Sequence, residues 1–116
     1  MVKEILESGR KCWIFPGGGV EFGKTLEEAI KREIKEELGM EIKVEKLIGF
    51  KEAIFPQYNY HTVIFFFLAN PLGRLSIDDQ KILEARYFDL RDIGNLNLVD
   101  SARWAFERLK SQIKTI

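Results

Sequence analysis

Only one cysteine, Cys12, and one histidine, His61, occur among the 116 residues. A single thiol excludes an intramolecular disulfide and the secreted disulfide-scaffold class. It also excludes zinc sites built from cysteine pairs, and a lone histidine excludes a His-rich metal centre. No long hydrophobic run is present. The longest, Val63 to Ala69, falls far short of the ~20 residues that span a bilayer. The N-terminus, Met1-Val2-Lys3-Glu4, carries no apolar run with a cleavage site. Nor is one charge in excess: 18 Lys+Arg stand against 18 Asp+Glu. That balance argues against a nucleic-acid coat or a polybasic membrane binder. A soluble cytoplasmic protein is expected, and any polyanion bound here needs locally supplied positive charge.

What is present suits one domain over residues 1–116. The mass is 13.5 kDa and 46% of residues are hydrophobic, enough for a single core. Val2 to Leu6 and Cys12 to Phe15 read as strands, the second stopped by Pro16-Gly17-Gly18-Gly19. Val20 to Gly23 reads as a brief extended piece. Thr25 reads as an N-cap with Glu28 as its capping-box partner, and Gly39 sits where a left-handed C-terminal residue belongs. The spacing between them predicts a helix over Leu26 to Leu38. Glu41 to Glu45 alternates as a strand that continues after Gly49 to Phe55. His61 to Ala69 reads as a central strand, and Ala85 to Leu90 as another. Val99, Ala102, Phe106, Leu109 and Ile113 predict an amphipathic C-terminal helix with Asp100 or Ser101 near its cap. The order predicts an α/β fold, a mixed sheet with helices on its faces.

The chemistry lies between Gly18 and Met40. Glu33, Glu36 and Glu37 stand at i, i+3 and i+4 of the predicted helix, about 5–6 Å apart on one face. Two unit charges 6 Å apart cost about 3 kcal/mol at an effective dielectric near 20. A divalent cation turns that repulsion into attraction, and oxygen-only ligands point to Mg²⁺, with Mn²⁺ as the other choice. The glycine loop ahead of the helix has no side chains to block a phosphate chain. Together they suit metal-assisted hydrolysis of a phosphate-bearing substrate. The competing reading of the helix alone is a solvated polar face.

This segment resembles the Nudix box: Gly, five residues, Glu, seven residues, then Arg-Glu-U-X-Glu-Glu-X-Gly-U, with U a bulky aliphatic. Gly18, Arg32, Glu33, Ile34, Glu36, Glu37, Gly39 and Met40 fill eight of its nine defined positions. The lead-in Phe15 to Glu21 also looks like that family. The resemblance to this MutT-like family implies an α/β/α sandwich. It implies hydrolysis of a nucleoside diphosphate linked to another moiety, a small-molecule nucleotide-type substrate rather than nucleic acid. It further implies that Glu33, Glu36 and Glu37 bind the cations, that Arg32 orients Glu33, and that a carbonyl of Gly17 or Gly18 is a further ligand. Arg32, Glu33 and Glu37 are then the catalytic group. Glu33, Asp78, Asp79, Glu52 and Glu84 are the candidate bases.

Two departures stand out. The family's first glutamate falls on Lys24, which keeps a second function open: a weak or inactive Nudix-fold module that binds a nucleotide without turnover. Lys24 is expected to pair with Glu21, Glu27 or Glu28, or to touch a phosphate. Only 15 residues precede Pro16, where relatives carry a further strand. Either that strand is absent or a partner chain completes the sheet edge, and a homodimer is expected on that ground. Trp13, Tyr58 and Tyr60 are candidates for contacting the substrate. The alternatives are a core position for Trp13 and partly exposed loop positions for the tyrosines.

Overall fold

The computed structural model describes residues 1–6, 8–77 and 80–114. Strands β1 (Val2–Ile5) and β2 (Lys11–Ile14) form an antiparallel hairpin, with Val2 opposite Ile14 and Lys3 opposite Trp13. Helix α1 (Leu26–Leu38) follows the glycine loop. Strands β3 (Ile42–Phe55) and β4 (Tyr60–Pro71) form a second antiparallel hairpin, joined by a single turn at Pro56–Tyr58. A two-residue strand, β5 (Glu84–Ala85), pairs with the free side of β1. A short helix α2 (Leu90–Ile93) and the long α3 (Asp100–Lys114) end the described chain. The sheets are β2-β1-β5 and β3-β4. Their named pairs are antiparallel. The parallel component expected of a mixed sheet is confined, among the described residues, to a bridge between Trp13 and Leu98. There the Trp13 N–H donates to the Asn97 carbonyl at 2.8 Å.

Helix α1 has the predicted ends. Thr25 Oγ1 accepts from the Glu28 N–H at 3.1 Å, and its hydroxyl donates to the Glu28 carboxylate at 3.2 Å. Such a cap is worth about 1 kcal/mol. Gly39 takes φ 62°, and its N–H donates to the Lys35 carbonyl at 3.0 Å. A side chain there would meet left-handed strain.

The helices cover opposite faces of the first sheet. Val2 packs with Ile34, Leu38, Met40, Ile42 and Ile82 on the α1 side. Trp13 packs with Ile93, Leu98, Ala102 and Phe106 on the α3 side. Alternation along a strand produces this split, since neighbours point to opposite faces. The result is the expected α/β/α sandwich. Cys12, fully buried, serves as a small apolar core residue.

Three local expectations change. The strand predicted over Ala85 to Leu90 forms a ladder only as far as Ala85. Phe88 instead meets Trp13 edge-on at 4.8 Å, and Asp89 caps α2 by accepting from the Arg91 N–H at 3.0 Å. Val20 to Gly23 is a turn, not an extended piece: the Lys24 N–H donates to the Glu21 carbonyl at 3.1 Å, and Gly23 takes φ 85°. Gly49 does not break the strand. It sits at a register shift in β3, where an added Cβ would lie 3.2 Å from the Trp104 ring. The missing side chain lets α3 approach the strand.

Candidate active site

The glycine loop leaves β2 and turns back over α1. Gly17 rests on Ile30, and a Cβ at Gly18 would collide with the Glu33 carboxylate. A side chain at 18 would displace that carboxylate from its place, and the displaced group would be the first glutamate of the helical trio. Arg32 locks the arrangement. Its Nη2 donates to the Gly19 carbonyl at 2.9 Å and to Glu33 Oε1 at 2.7 Å. Its Nη1 donates to Glu21. One guanidinium thus ties loop, turn and helix together, a use of its fixed fork geometry that lysine does not match.

The Glu33 side chain is 16% exposed, whereas Glu36 faces solvent. Glu37 is half-buried, with Oε2 enclosed. Glu36 and Glu37 lie in the last turn of α1, where the negative end of the helix dipole adds to their mutual repulsion. Among the described residues no three acidic, His or Cys side chains converge as a ready-made cage. A Mg²⁺ site does not require one. This hard cation is held by one or two carboxylates, its remaining positions going to water and substrate phosphates. Glu33, seated against Gly18, and Glu37 one helical turn on offer carboxylate oxygens that fit that chemistry.

Other predicted residues fall elsewhere. Trp13 is 8% exposed in the α3-side core, edge-on to Phe88 and beneath Lys3 at 5.1 Å. A ring covered in this way has no face to offer a base, which corrects its assignment to substrate. Tyr58 and Tyr60 are 56% and 55% exposed at the β3–β4 turn, and Tyr60 stacks with Phe55 at 6.1 Å. Phe55 is an accessible aromatic that the sequence reading passed over. Its only signal was a place at the end of an apolar strand beside a turn.

The candidate bases separate similarly. Glu52 meets His61 Nε2 at 2.7 Å on the exposed hairpin. Glu84 pairs with Lys3 at 3.1 Å and Arg86 at 3.7 Å. Asp78 and Asp79 lie outside the described residues. Lys24 is exposed at the turn before α1. Its expected partners are engaged elsewhere: Glu21 with Arg32, Glu27 with Lys31, and Glu28 with Thr25. No described helix is long and apolar enough to cross a membrane.

The NUDIX domain profile matches residues 1–109, and the chain belongs to that family. It is 39% identical over 98 residues to an ADP-ribose pyrophosphatase of Methanocaldococcus jannaschii, covering 83% of this chain and 57% of that protein. It is 33% identical over 94 residues to the putative nudix hydrolase 1 of Caenorhabditis elegans, covering 80% of this chain and 25% of that one. The chain thus spans well under two-thirds of these relatives. The crystal structure of a MutT NUDIX hydrolase from Burkholderia pseudomallei superposes with a TM-score of 0.81 at 29% identity, covering 92% of this chain and 84% of that one.

Proposed function

We propose that the chain is a metal-dependent Nudix-type pyrophosphohydrolase acting on a nucleoside diphosphate linked to another moiety. One observation carries the reading: the Glu33 carboxylate is seated against Gly18 and held there by Arg32. Glu33, Glu36 and Glu37, with a carbonyl of Gly17 or Gly18, would hold Mg²⁺ or Mn²⁺. Such cations, when bound, neutralise the diphosphate and make a bound water more acidic. Arg32 keeps Glu33 in one orientation while its own charge is spent on Glu21 and Glu33. Glu37 supplies a second carboxylate one helical turn on. The side-chain-free loop lets a phosphate chain approach the helix face. Tyr58 and Tyr60, whose rings are exposed, would contact the non-phosphate part of the substrate.

The second reading, a nucleotide-binding module without turnover, is favoured by Lys24, which reverses the charge of one box position. A panel of ADP-ribose, nucleotide sugars, dinucleoside polyphosphates and oxidised nucleoside triphosphates separates the two. The expected result is Mg²⁺-dependent release of a nucleoside monophosphate from at least one member, reduced at least 100-fold in Glu37→Gln. Nucleotide and metal binding with no product across the panel establishes the second reading instead.

A further inference from the structure

Four cations lie between positions 20 and 40: Lys24, Lys31, Arg32 and Lys35. Three are committed. Lys31 pairs with Glu27 at 3.4 Å and Lys35 with Glu41 at 3.3 Å, while Arg32 is shared among Glu21, Glu33 and the Gly19 carbonyl. Lys24 is not. Its side chain is exposed, and among the described residues no carboxylate lies within ion-pair distance of it. Glu21, Glu27 and Glu28 hold partners of their own. The exposed Glu36 lies in the last turn of α1, about 15 Å along the axis from the first residue of the helix. Phe22 and Gly23, the preceding neighbours of Lys24, bring no charge.

The backbone that carries this lysine is fixed on both sides. Before it, Glu21 is tied to Arg32 through its side chain, and its carbonyl accepts the Lys24 N–H at 3.1 Å. After it, Thr25 caps α1 by accepting from the Glu28 N–H at 3.1 Å. The ammonium on its four-carbon stem is therefore the movable part. Where it reaches follows from the path of the chain. Gly17 rests on Ile30 and Gly18 meets Glu33, so the glycine loop crosses α1 near the middle of the helix. Residues 19–24 then run back to the helix start, past Arg32. Leu26 and Glu33, seven residues apart, share a helix face and are separated by about 10 Å of axis. A phosphate chain held at Glu33 and laid along the side-chain-free loop toward the helix start runs toward the turn that carries Lys24.

A further phosphate adds negative charge that the acidic trio repels. An unpaired ammonium beyond the trio meets that charge without first breaking an ion pair. Arg32 does not serve, because its fork is occupied. Nor does Lys24 ligate a metal ion, because an ammonium has donors only. We propose that Lys24 is a specificity-determining residue whose ammonium binds a phosphate beyond the two gripped at Glu33. It selects substrates with a chain of three or more phosphates over nucleoside diphosphates joined to an uncharged sugar. The reversed charge at this box position is then a change of selectivity, not a loss of function. The role rests on the diphosphate reading of the same site.

The test is calorimetric titration of the 116-residue protein, in excess Mg²⁺, with inorganic tripolyphosphate and with inorganic pyrophosphate. The unsubstituted protein should bind tripolyphosphate more tightly. Lys24→Gln should lower the ratio of the two affinities about fivefold, the upper range for one exposed ion pair. Lys24→Arg should restore most of that ratio, and Lys24→Glu, which adds repulsion, should lower it further. An equal loss for both anions in Lys24→Gln, or no loss for either, would overturn the proposal. In that case, Mg²⁺-dependent pyrophosphate binding that disappears in Glu33→Gln would leave the diphosphate reading standing. No Mg²⁺-dependent binding of either anion would remove both.

Discussion

Arg32 touches a carbonyl of the glycine loop, a carboxylate of the turn and a carboxylate of the helix at once. In the proposed site it would fix Glu33 rather than meet the reacting atoms. Removing it frees Glu33 to rotate and hands the exposed Gly19 carbonyl to water. Supporting contacts of this kind are typically worth 10–100-fold in metal affinity. Calorimetric titration of Arg32→Ala with Mn²⁺ should show a loss of about that size, and Arg32→Lys should recover only part of it. Equal affinity in all three proteins would remove Arg32 from the site. The acidic trio was legible because three glutamates at helical spacing state their own electrostatic problem. That Glu33 sits against Gly18 was not, because the contact depends on how the loop folds back. Trp13 shows the converse: an aromatic beside the loop reads as a substrate contact until the core on its far side is known.

Among the elements, α1 was readable to the residue since both its ends carry local signals, Thr25 with Glu28 and Gly39. α2 was not. Four residues hold too little periodicity, and the segment before it had the composition of a strand. The cap formed by Asp89 yields a pH prediction. Its side-chain and backbone hydrogen bonds with Arg91 hold the Asp89 carboxyl below its ordinary value. A lowered folded-state pKa means the contribution is complete above about pH 4 and is lost as pH falls through the lowered value. The backbone amide signals of Leu90–Ile93 should therefore move with acidification, in step with the Asp89 carboxyl resonance. In Asp89→Asn, which keeps a capping oxygen without the charge, that coupled step should vanish. A step that persists in the variant would assign the transition to another group.

For the molecule as a whole, sequence periodicity identifies α1, α3 and the strands β1 to β4, but not how the strands divide into sheets. Pairing is a long-range choice, and the run from His61 to Ala69 has the composition of a central strand whatever lies beside it. Cross-strand pairs place Phe50 with Phe65, Glu52 with Val63 and Ile54 with His61 on one face of the second hairpin. On that face Phe50 is 61%, Ile54 62% and Val63 46% exposed, around the exposed Glu52–His61 pair, a mixed apolar and polar surface of the kind that protein interfaces bury. The homodimer expected from the sequence is proposed to use this face. Light scattering at rising concentration should show a dimer that Phe50→Lys reverts to monomer; a monomer at every concentration would dismiss it.

The central claim is that Glu33 and Glu37, beside the Gly17–Gly18 bend, hold a divalent cation. Paramagnetic broadening of amide resonances by substoichiometric Mn²⁺ tests it most directly. The account predicts that residues 17–18 and 33–37 broaden first, and that the doubly substituted Glu33→Gln, Glu37→Gln protein, still folded by its spectrum, loses the effect. Broadening spread evenly over the acidic surface, or unchanged in that variant, would contradict it.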